Sequence, residues 1–520
     1  MEQLNFDDYV FTRGYIIANE VLQDIPQRWK EVPGLPDPWK LYVDPLLHWR
    51  QSSGGLANNN SQGKSVQVVS IGFFTSLRYP GLGPEQLNDY LTAALIKSKE
   101  SFQKLVDSLQ GHFVIFAFKN GVLTAQSDAM AIYPLFYAQP HATDSLRFVT
   151  SHVRLAAAIK KAPQNEFARP NFYKENGADQ NFADTTSYEG IYRVSANLEL
   201  NVTTGTVSRI FPRRKLRPLK VKQCVKLLEN AAKNHLDILF SKESPYSRVL
   251  VSITGGIDTR TNLSLIKDYI NKVSFFTFDP PSLNQYSEHD FATVREILKA
   301  TNIKNHVFLP SSSEIVSPGL EAILRQNTEF SYSSEVAQSL LKTYGTTSDT
   351  LHLRSSGYEI GRGYYRKLGK TIPYHKVTAQ DYMDLMCRYQ ARSPLVAEAY
   401  KSFWNKTNCD SIAQYGYDPL DLLLWEQKMS VWHSMIIQEH AVSFDSSVLI
   451  NSRMLWDALI SVPPRNRREI TVFRQLIGRH LPELNLLPVN GKPIDPPINI
   501  RIKQNLRQLL GRVRYINHLR

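Results

Sequence analysis

Hydrophobic patterning divides this chain into two regimes. From residue 66 to about 210 the apolar positions fall in short runs separated by turn signals. Val66-Gln67-Val68-Val69-Ser70-Ile71-Gly72 reads as a strand. Residues 85–110 read as a helix, with Leu87, Leu91, Ala94, Leu95, Phe102 and Leu105 at helical spacing. His112 to Phe118 reads as the next strand, and Gly121-Val122 turns the chain into Leu123-Thr124-Ala125. Leu135-Phe136-Tyr137 and Phe148-Val149-Thr150 continue the series, which predicts an α+β region dominated by antiparallel hairpins. Residues 31–65, rich in Pro, Gly, Ser and Asn, read as a long surface loop.

Beyond a basic, proline-marked linker at 213–220 the period changes. Val221, Val225, Leu228, Ala232, Leu236 and Leu239 mark a helix, and the apolar run Val249 to Ile253 marks a buried parallel strand. Val273–Phe278, a helix over Phe291–Ala300 and His306–Leu309 continue the alternation, the signature of a doubly wound parallel sheet. Residues 376–480 read as mostly helical. There Trp425, Met429, Trp432, Met435 and Ile436 recur at helical spacing, as a core stripe rather than a cofactor box. Residues 501–520 hold six Arg or Lys and no acid, with Ile502, Leu506, Leu509, Leu510, Val513 and Ile516 on one helical face. Such a helix either lies on anionic lipid or docks on its own protein.

Composition narrows this only a little. A chain of 520 residues exceeds one core, so two to four domains are expected. No run of eighteen apolar residues occurs, and the acidic start Met-Glu-Gln-Leu-Asn-Phe-Asp-Asp lacks an apolar signal region. The three cysteines, Cys224, Cys387 and Cys409, have no metal-like spacing, which fits free thiols in a reducing cytoplasm. The net charge of +13 permits an anionic partner without choosing one.

The candidate chemistry sits where the strand Val249 to Ile253 breaks at Thr254-Gly255-Gly256 and a helix follows. Glycines let backbone N–H groups approach a phosphate, and the helix dipole adds partial positive charge. Thr254 and Thr259 bring hydroxyls. Asp258 would repel a bare phosphate but suits a site in which Mg²⁺ neutralises pyrophosphate. No Gly-Lys-Ser/Thr follows, so this is not a Walker loop. Taken alone, the same residues also describe a glycine turn between any strand and helix.

Thr254-Gly255-Gly256-Ile257-Asp258-Thr259 resembles the Ser-Gly-Gly-x-Asp-Ser pyrophosphate loop of ATP pyrophosphatases such as asparagine synthetase, with threonine for both serines. Four further segments follow that family's order: Leu109-Gln110-Gly111-His112-Phe113, Asp128 to Tyr137, Phe148-Val149-Thr150-Ser151 and Gly190-Ile191-Tyr192-Arg193-Val194. The resemblance covers roughly residues 66–495. It implies an Ntn-hydrolase-like antiparallel sandwich over 1–212, the linker at 213–220, an α/β ATP-pyrophosphatase domain over 221–500 with a helical C-terminal part, and the basic tail at 501–520. Class II glutaminases of this family attack glutamine with an N-terminal cysteine thiolate. Residue 2 here is Glu2 and the first cysteine is Cys224. Glutamine hydrolysis is therefore not expected. The half resembles the silent amino-terminal domains of β-lactam synthetases and lasso-peptide cyclases.

The resemblance implies ATP and Mg²⁺ as the cofactors. It assigns Ile253, Thr254, Gly255, Gly256, Asp258, Thr259 and Thr277 to the nucleotide, with Asp258 as the metal ligand. Arg260 either contacts a phosphate or carboxylate or is solvated, and Arg362 clamps an anion. Leu353 to Tyr365 is placed like the family's Ser-Gly-Glu-Gly-Ser-Asp-Glu-x-x-Gly-Gly-Tyr segment. Glu359, Gly363 and Tyr364 match, whereas the second metal carboxylate falls on Tyr358 and the presumed base on Ser355. Tyr358 with Glu359 is thus a candidate catalytic pair, and Glu359 equally a charge complementing a helix dipole. Lys492, after Leu487-Pro488-Val489-Asn490-Gly491, matches the family's late lysine as a third catalytic candidate. Ser287-Glu288-His289-Asp290 either lines the adenine or ribose site or caps a helix.

The implied activity is an ATP-dependent carbon–nitrogen ligase. It adenylates a small-molecule or peptide carboxylate and passes the acyl group to an amine or ammonia. Homodimerisation and peripheral membrane contact through the tail are open partner readings, and nucleic acid is not expected. The acids missing at 355 and 358 motivate an alternative, a non-catalytic relative that binds nucleotide or a partner. An RNA-modifying pyrophosphatase is a third reading, suggested by charge alone.

Overall fold

The computed structural model describes residues 6–52, 66–140, 144–278, 285–309, 316–330, 332–369 and 371–489. Lys492, the tail 501–520 and residues 53–65 of the expected loop lie outside them, as do the side chains of Ser287 and Glu288.

The amino-terminal part contributes twelve strands in chain order: β1 (Tyr15–Ala18), β2 (Lys30–Val32), β3 (Lys40–Val43), β4 (Trp49–Gln51), β5 (Val66–Ser76), β6 (Leu109–Lys119), β7 (Val122–Ser127), β8 (Leu135–Ala138), β9 (Phe148–Thr150), β10 (Ile191–Val194), β11 (Leu198–Asn201) and β12 (Thr206–Arg209). They form two six-stranded sheets, ordered β10-β8-β9-β1-β3-β2 and β12-β11-β7-β6-β5-β4. The long pair β5–β6 sets the second sheet, running antiparallel from Val66 opposite Lys119 to Ser76 opposite Leu109. Alternation along β5 divides two cores. Val69, Ile71 and Phe73 face Tyr15, Ile17 and Leu41 of the first sheet. Val66, Val68 and Phe74 face Leu87, Leu91 and Phe102 of helices α1 (Pro84–Lys97) and α2 (Lys99–Val106). A third helix, α3 (Val153–Lys160), covers Ile16, Phe136 and Phe148 on the outer face of the first sheet. The result is a four-layer α/β/β/α arrangement.

Two sequence expectations change here. The helix read over 85–110 is two helices broken at Ser98, whose hydroxyl accepts from Ser101 N–H and starts α2. Residues 109 and 110 already belong to β6. The expected loop 31–65 carries β3, β4 and the end of β2, because strands of three or four residues leave little apolar run between Pro and Gly turns.

The carboxy-terminal part builds one parallel sheet from β13 (Arg248–Ser252), β14 (Ser274–Phe278), β15 (His306–Leu309), β16 (Thr350–Arg354) and β17 (Asp445–Val448), ordered β15-β14-β13-β16-β17. Helices α4 (Val221–Leu239), α5 (Ile257–Leu265), α6 (Gln285–Thr301) and, after the sheet, α7 (Arg453–Ile460) belong to this half. After β13 the chain adds β14 and β15 on one side and β16 and β17 on the other. The loops leaving β13 and β16 therefore flank a switch point, where open α/β sheets form their ligand crevice.

The region read as mostly helical hides β17. The helix before it runs Pro419–Leu423, a π-helical stretch Leu424–His433 and Ser434–His440. Trp425, Met429, Met435 and Ile436 are buried on it, as a core stripe should be. Trp432 is half-buried, with the Lys428 ammonium 4.3 Å above its ring. The linker is pinned rather than loose. Leu216 N–H donates to Tyr415 O at 2.8 Å and Leu219 N–H to Ser461 O at 2.9 Å. Among the described residues no helix is long and apolar enough to cross a membrane.

Candidate functional site

The loop between β13 and α5 is stapled from within. Thr259 Oγ1 accepts from Thr254 N–H at 3.2 Å and lies 2.9 Å from Thr254 Oγ1. Gly256 is the N-cap of α5, so the open helix end starts at the loop. Thr254 is exposed and Gly256 half-exposed. Gly255 is packed against α6, and a Cβ there would stand 2.6 Å from Asp290 Oδ1 and 3.1 Å from Thr293 Cβ. A side chain there would have to push the Asp290 carboxylate off the loop, so glycine suits that approach. Gly255 N–H donates to Asp290 Oδ1 at 2.8 Å, so this amide already holds an anion. Burial raises the Asp290 carboxyl above its ordinary range, with the Gly255 bond and Arg260 pulling the other way.

Opposite lies the turn after β16. Gly357, at φ +86°, lets the chain reverse where a Cβ would meet Met130 Sδ at 2.9 Å. A 3₁₀ turn, Tyr358–Arg362, follows, and its three-residue period puts Glu359 and Arg362 on one face. Arg362 Nη2 is 3.0 Å from Glu359 Oε1 and 3.1 Å from the Asp258 carboxylate. The guanidinium hydrogen-bonds Asp258 Oδ2. Asp258 Oδ1, the oxygen 3.1 Å from Arg362 Nη2, and Glu359 Oε2 are buried and take no hydrogen bond. Burial pushes the Asp258 carboxyl up to about 8; Arg362 pulls it down and Glu359 adds to the rise.

Carboxylate oxygens that take no hydrogen bond fit a hard divalent cation. Among the described residues no cluster of three His, Cys, Asp or Glu groups could hold a metal alone. A cation here would take Asp258 and draw its remaining ligands from phosphate oxygens, the usual pattern for Mg²⁺.

Several sequence-assigned residues do other work. Tyr358 is not half of a catalytic pair. It is fully buried, its hydroxyl donates to Asn262 Oδ1 at 3.1 Å, and its ring packs edge-on against Trp456 and Phe473. Arg260 is neither solvated nor free for a phosphate. Its buried guanidinium donates to Leu484 O at 2.8 Å, Leu487 O at 2.7 Å, Gly255 O at 3.0 Å and Pro488 O. It thereby ties the segment leading to Lys492 onto the loop. Ile253 is core, with its N–H bonded to Phe276 O and its carbonyl to the Thr277 hydroxyl. Thr277 is buried on that carbonyl at 2.8 Å and on His306 Nε2 at 2.9 Å, so it offers nothing to adenine. Thr259 holds the loop rather than a ligand. Asp290 sits on a helix and binds the loop amide instead of lining a nucleoside site.

The sequence reading missed the cleft's other wall. Arg354, the last residue of β16, contacts His440 Nδ1 through Nη1 at 2.9 Å and makes no ion pair among the described residues. His440 Nε2 is 3.0 Å from Ser333 Oγ, and His433 Nε2 is 2.7 Å from Ser356 Oγ. Burial, with Arg354 nearby, lowers both imidazoles well below their usual range, so they sit neutral near pH 7. The seven-residue spacing of His433 and His440, two turns along one helix, was the available signal.

None of the three cysteines is a reactive thiol. All are buried, and burial pushes Cys224 and Cys387 up to about 12 and Cys409 to about 11.

No family model matches the chain, and no curated protein matches it. Among solved structures, it is similar to an NH3-dependent NAD synthetase from Campylobacter jejuni subsp. jejuni in complex with nitrate, at 14% identity and TM-score 0.21, covering 41% of this chain and 95% of that one. It is also similar to the NMN synthetase of Francisella tularensis, at 15% identity and TM-score 0.20, covering 42% of this chain and 93% of that one. A glutamine phosphoribosylpyrophosphate amidotransferase from B. subtilis, complexed with ADP and GMP, aligns at 10% identity and TM-score 0.21 over 75% of this chain and 76% of that one. At such TM-scores these likenesses decide neither fold nor chemistry.

Proposed function

We propose that this chain is an ATP-dependent carbon–nitrogen ligase of the asparagine synthetase type that forms AMP and pyrophosphate without hydrolysing glutamine. The observation that carries the reading is the pair of carboxylates Asp258 and Glu359, each with an oxygen that takes no hydrogen bond, bridged by Arg362 at the amino-terminal end of α5 and the switch point of a parallel sheet.

The reaction begins when a substrate carboxylate attacks the α-phosphorus of ATP and pyrophosphate leaves. An amine then attacks the acyl carbon and AMP departs. The Thr254–Gly256 loop and the α5 dipole stabilise the charge that develops on pyrophosphate. Mg²⁺, when bound, neutralises phosphate charge, and Asp258 is the residue that holds it. Glu359 Oε2 is positioned by Arg362 through its sister oxygen and accepts the proton of the attacking amine. Arg354, at the end of β16 and without an ion pair among the described residues, draws an anionic acyl substrate into the cleft.

One observation favours a second reading, a nucleotide-binding relative without ligase activity: Asp290 and Arg362 already engage the Gly255 amide and Asp258. Pyrophosphate–ATP exchange and amide formation, assayed against pools of small carboxylates and amines, separate the two. Under the ligase reading Glu359→Gln keeps exchange and loses amide product by about 100-fold, the scale of a general base. Nucleotide binding without exchange in any pool would leave the second reading standing.

A further inference from the structure

Away from the loop, α2, the linker and the start of α7 enclose a cavity of about 340 Å³ in the seam between the two halves. Five cations line it: Arg78, Lys104, Arg213, Arg214 and Arg453. Three are matched, Lys104 with Glu100 at 2.5 Å, Arg214 with Asp457 at 3.1 Å, and Arg213 with Asp107. Arg78 and Arg453 make no ion pair among the described residues. Arg453 is 2% exposed; its Nη2 donates to Ser127 O at 2.8 Å, while Nε and Nη1 are buried with no hydrogen-bond partner. A buried guanidinium with idle donors is costly unless an anion meets it.

A second cavity, of about 430 Å³, shares Arg78 and Lys104 with the first. Its walls include Lys97 and the ring pair Tyr79–Tyr90, with centroids 4.6 Å apart and rings 39% and 44% exposed. The two cavities together offer cations and a pair of exposed aromatic side chains.

We propose that this seam binds a small phosphorylated molecule bearing a ring, its phosphate on Arg78, Lys104 and Arg453 and its ring against Tyr79 and Tyr90. Guanidinium forks match phosphate oxygens, and exposed aromatic rings stack on a base or pack against a sugar. Such a ligand would touch α2, the linker and α7 together and so bridge both halves. The proposal is independent of the reading of the Thr254–Gly256 loop.

Calorimetric titration of the whole chain with inorganic phosphate, AMP and glucose 1-phosphate tests it. The expected result is that a ring-bearing phosphate binds and that Arg78→Ala/Lys104→Ala weakens it by about tenfold or more, two charge-assisted contacts being lost. Asp258→Ala should leave this binding unchanged. Tyr90→Ala should weaken the ring-bearing probe about threefold and leave inorganic phosphate alone. AMP as the tighter ligand marks the site as a nucleotide site; glucose 1-phosphate as the tighter one marks it as a sugar phosphate site. Arg453→Met repeats the test from the buried side, and the exposed pair decides if that variant fails to fold. No binding of any probe up to about 10 mM, where even a weak site fills, would overturn the proposal. So would binding that Asp258→Ala abolishes and Arg78→Ala/Lys104→Ala does not.

Discussion

Two buried carboxylates, Asp258 and Asp445, stand on the same half of the molecule in opposite electrical states. Asp445 begins β17 and accepts from Tyr133 OH at 2.6 Å, Tyr246 OH at 2.8 Å and His112 Nε2 at 3.1 Å. Burial alone would raise its carboxyl, but His112, Arg13 and Tyr133 hold it well below the usual range. Asp258 has a single cation, Arg362, shared between its two oxygens and accepts only one hydrogen bond from it, and burial wins. Asp445 is satisfied by two residues of the sandwich and one of its own half. Arg13 reinforces the seam by donating to Ala441 O and Thr347 O. A completed network is a latch. An incomplete one, at a switch point, is a place for a ligand.

The largest expected effects separate these roles. Asp258→Ala should cut pyrophosphate release by about 100-fold or more without lowering the melting temperature. Asp445→Ala should do the reverse. Orphaning three buried donors should cost about 3–5 kcal/mol in chemical denaturation. Equal stability loss in both variants would erase the contrast.

The next effect concerns pH. The folded Asp258 carboxyl lies near 8, above its unfolded value of about 3.9, so folding favours the protonated form. That contribution is fully present below about pH 4 and is lost as pH rises through about 8. Asp445 has the opposite sign: its contribution is present above about pH 4 and is lost as pH falls below that. Asp258→Asn should therefore flatten the decline in melting temperature between about pH 5 and 8. Asp445→Asn should flatten the acid limb instead. A slope unchanged in Asp258→Asn would contradict the assignment.

The smallest effect tests the loop's internal anion. Asp290→Asn keeps an oxygen for Gly255 N–H and removes the charge beside an incoming phosphate. Affinity for ATP should rise by about three- to tenfold, the scale of one partly screened like charge. Unchanged affinity would mean that the Gly255 amide takes no part in phosphate binding.

The contrast also explains what the sequence conveyed. The loop was legible because glycine, hydroxyl and acid residues stand between an apolar strand and a helix. The hairpin-rich half was legible because β5 and β6 carry long apolar-rich runs, read over 66–72 and 112–118, while its layering as a sandwich came from the resemblance. β17 was not. Asp445-Ser446-Ser447-Val448 has no apolar run, and its Asp445 carboxylate is satisfied by residues more than 190 positions away in sequence. Tyr358 and Arg260 misled for a related reason: a tyrosine beside a glutamate and an arginine in a helix's first turn look chemical until packing turns them inward. Arg354 and the histidines 433 and 440 meet only in three dimensions.

The central claim is that Asp258 holds a divalent cation for a nucleotide. Calorimetric titration of ATP into the wild type and Asp258→Asn, each with Mg²⁺ and with EDTA, tests it most directly. The account expects wild-type binding to tighten about tenfold or more with Mg²⁺, and this gain to vanish in Asp258→Asn. ATP affinity that is the same with Mg²⁺ and EDTA, or a Mg²⁺ gain that survives in Asp258→Asn, would contradict it.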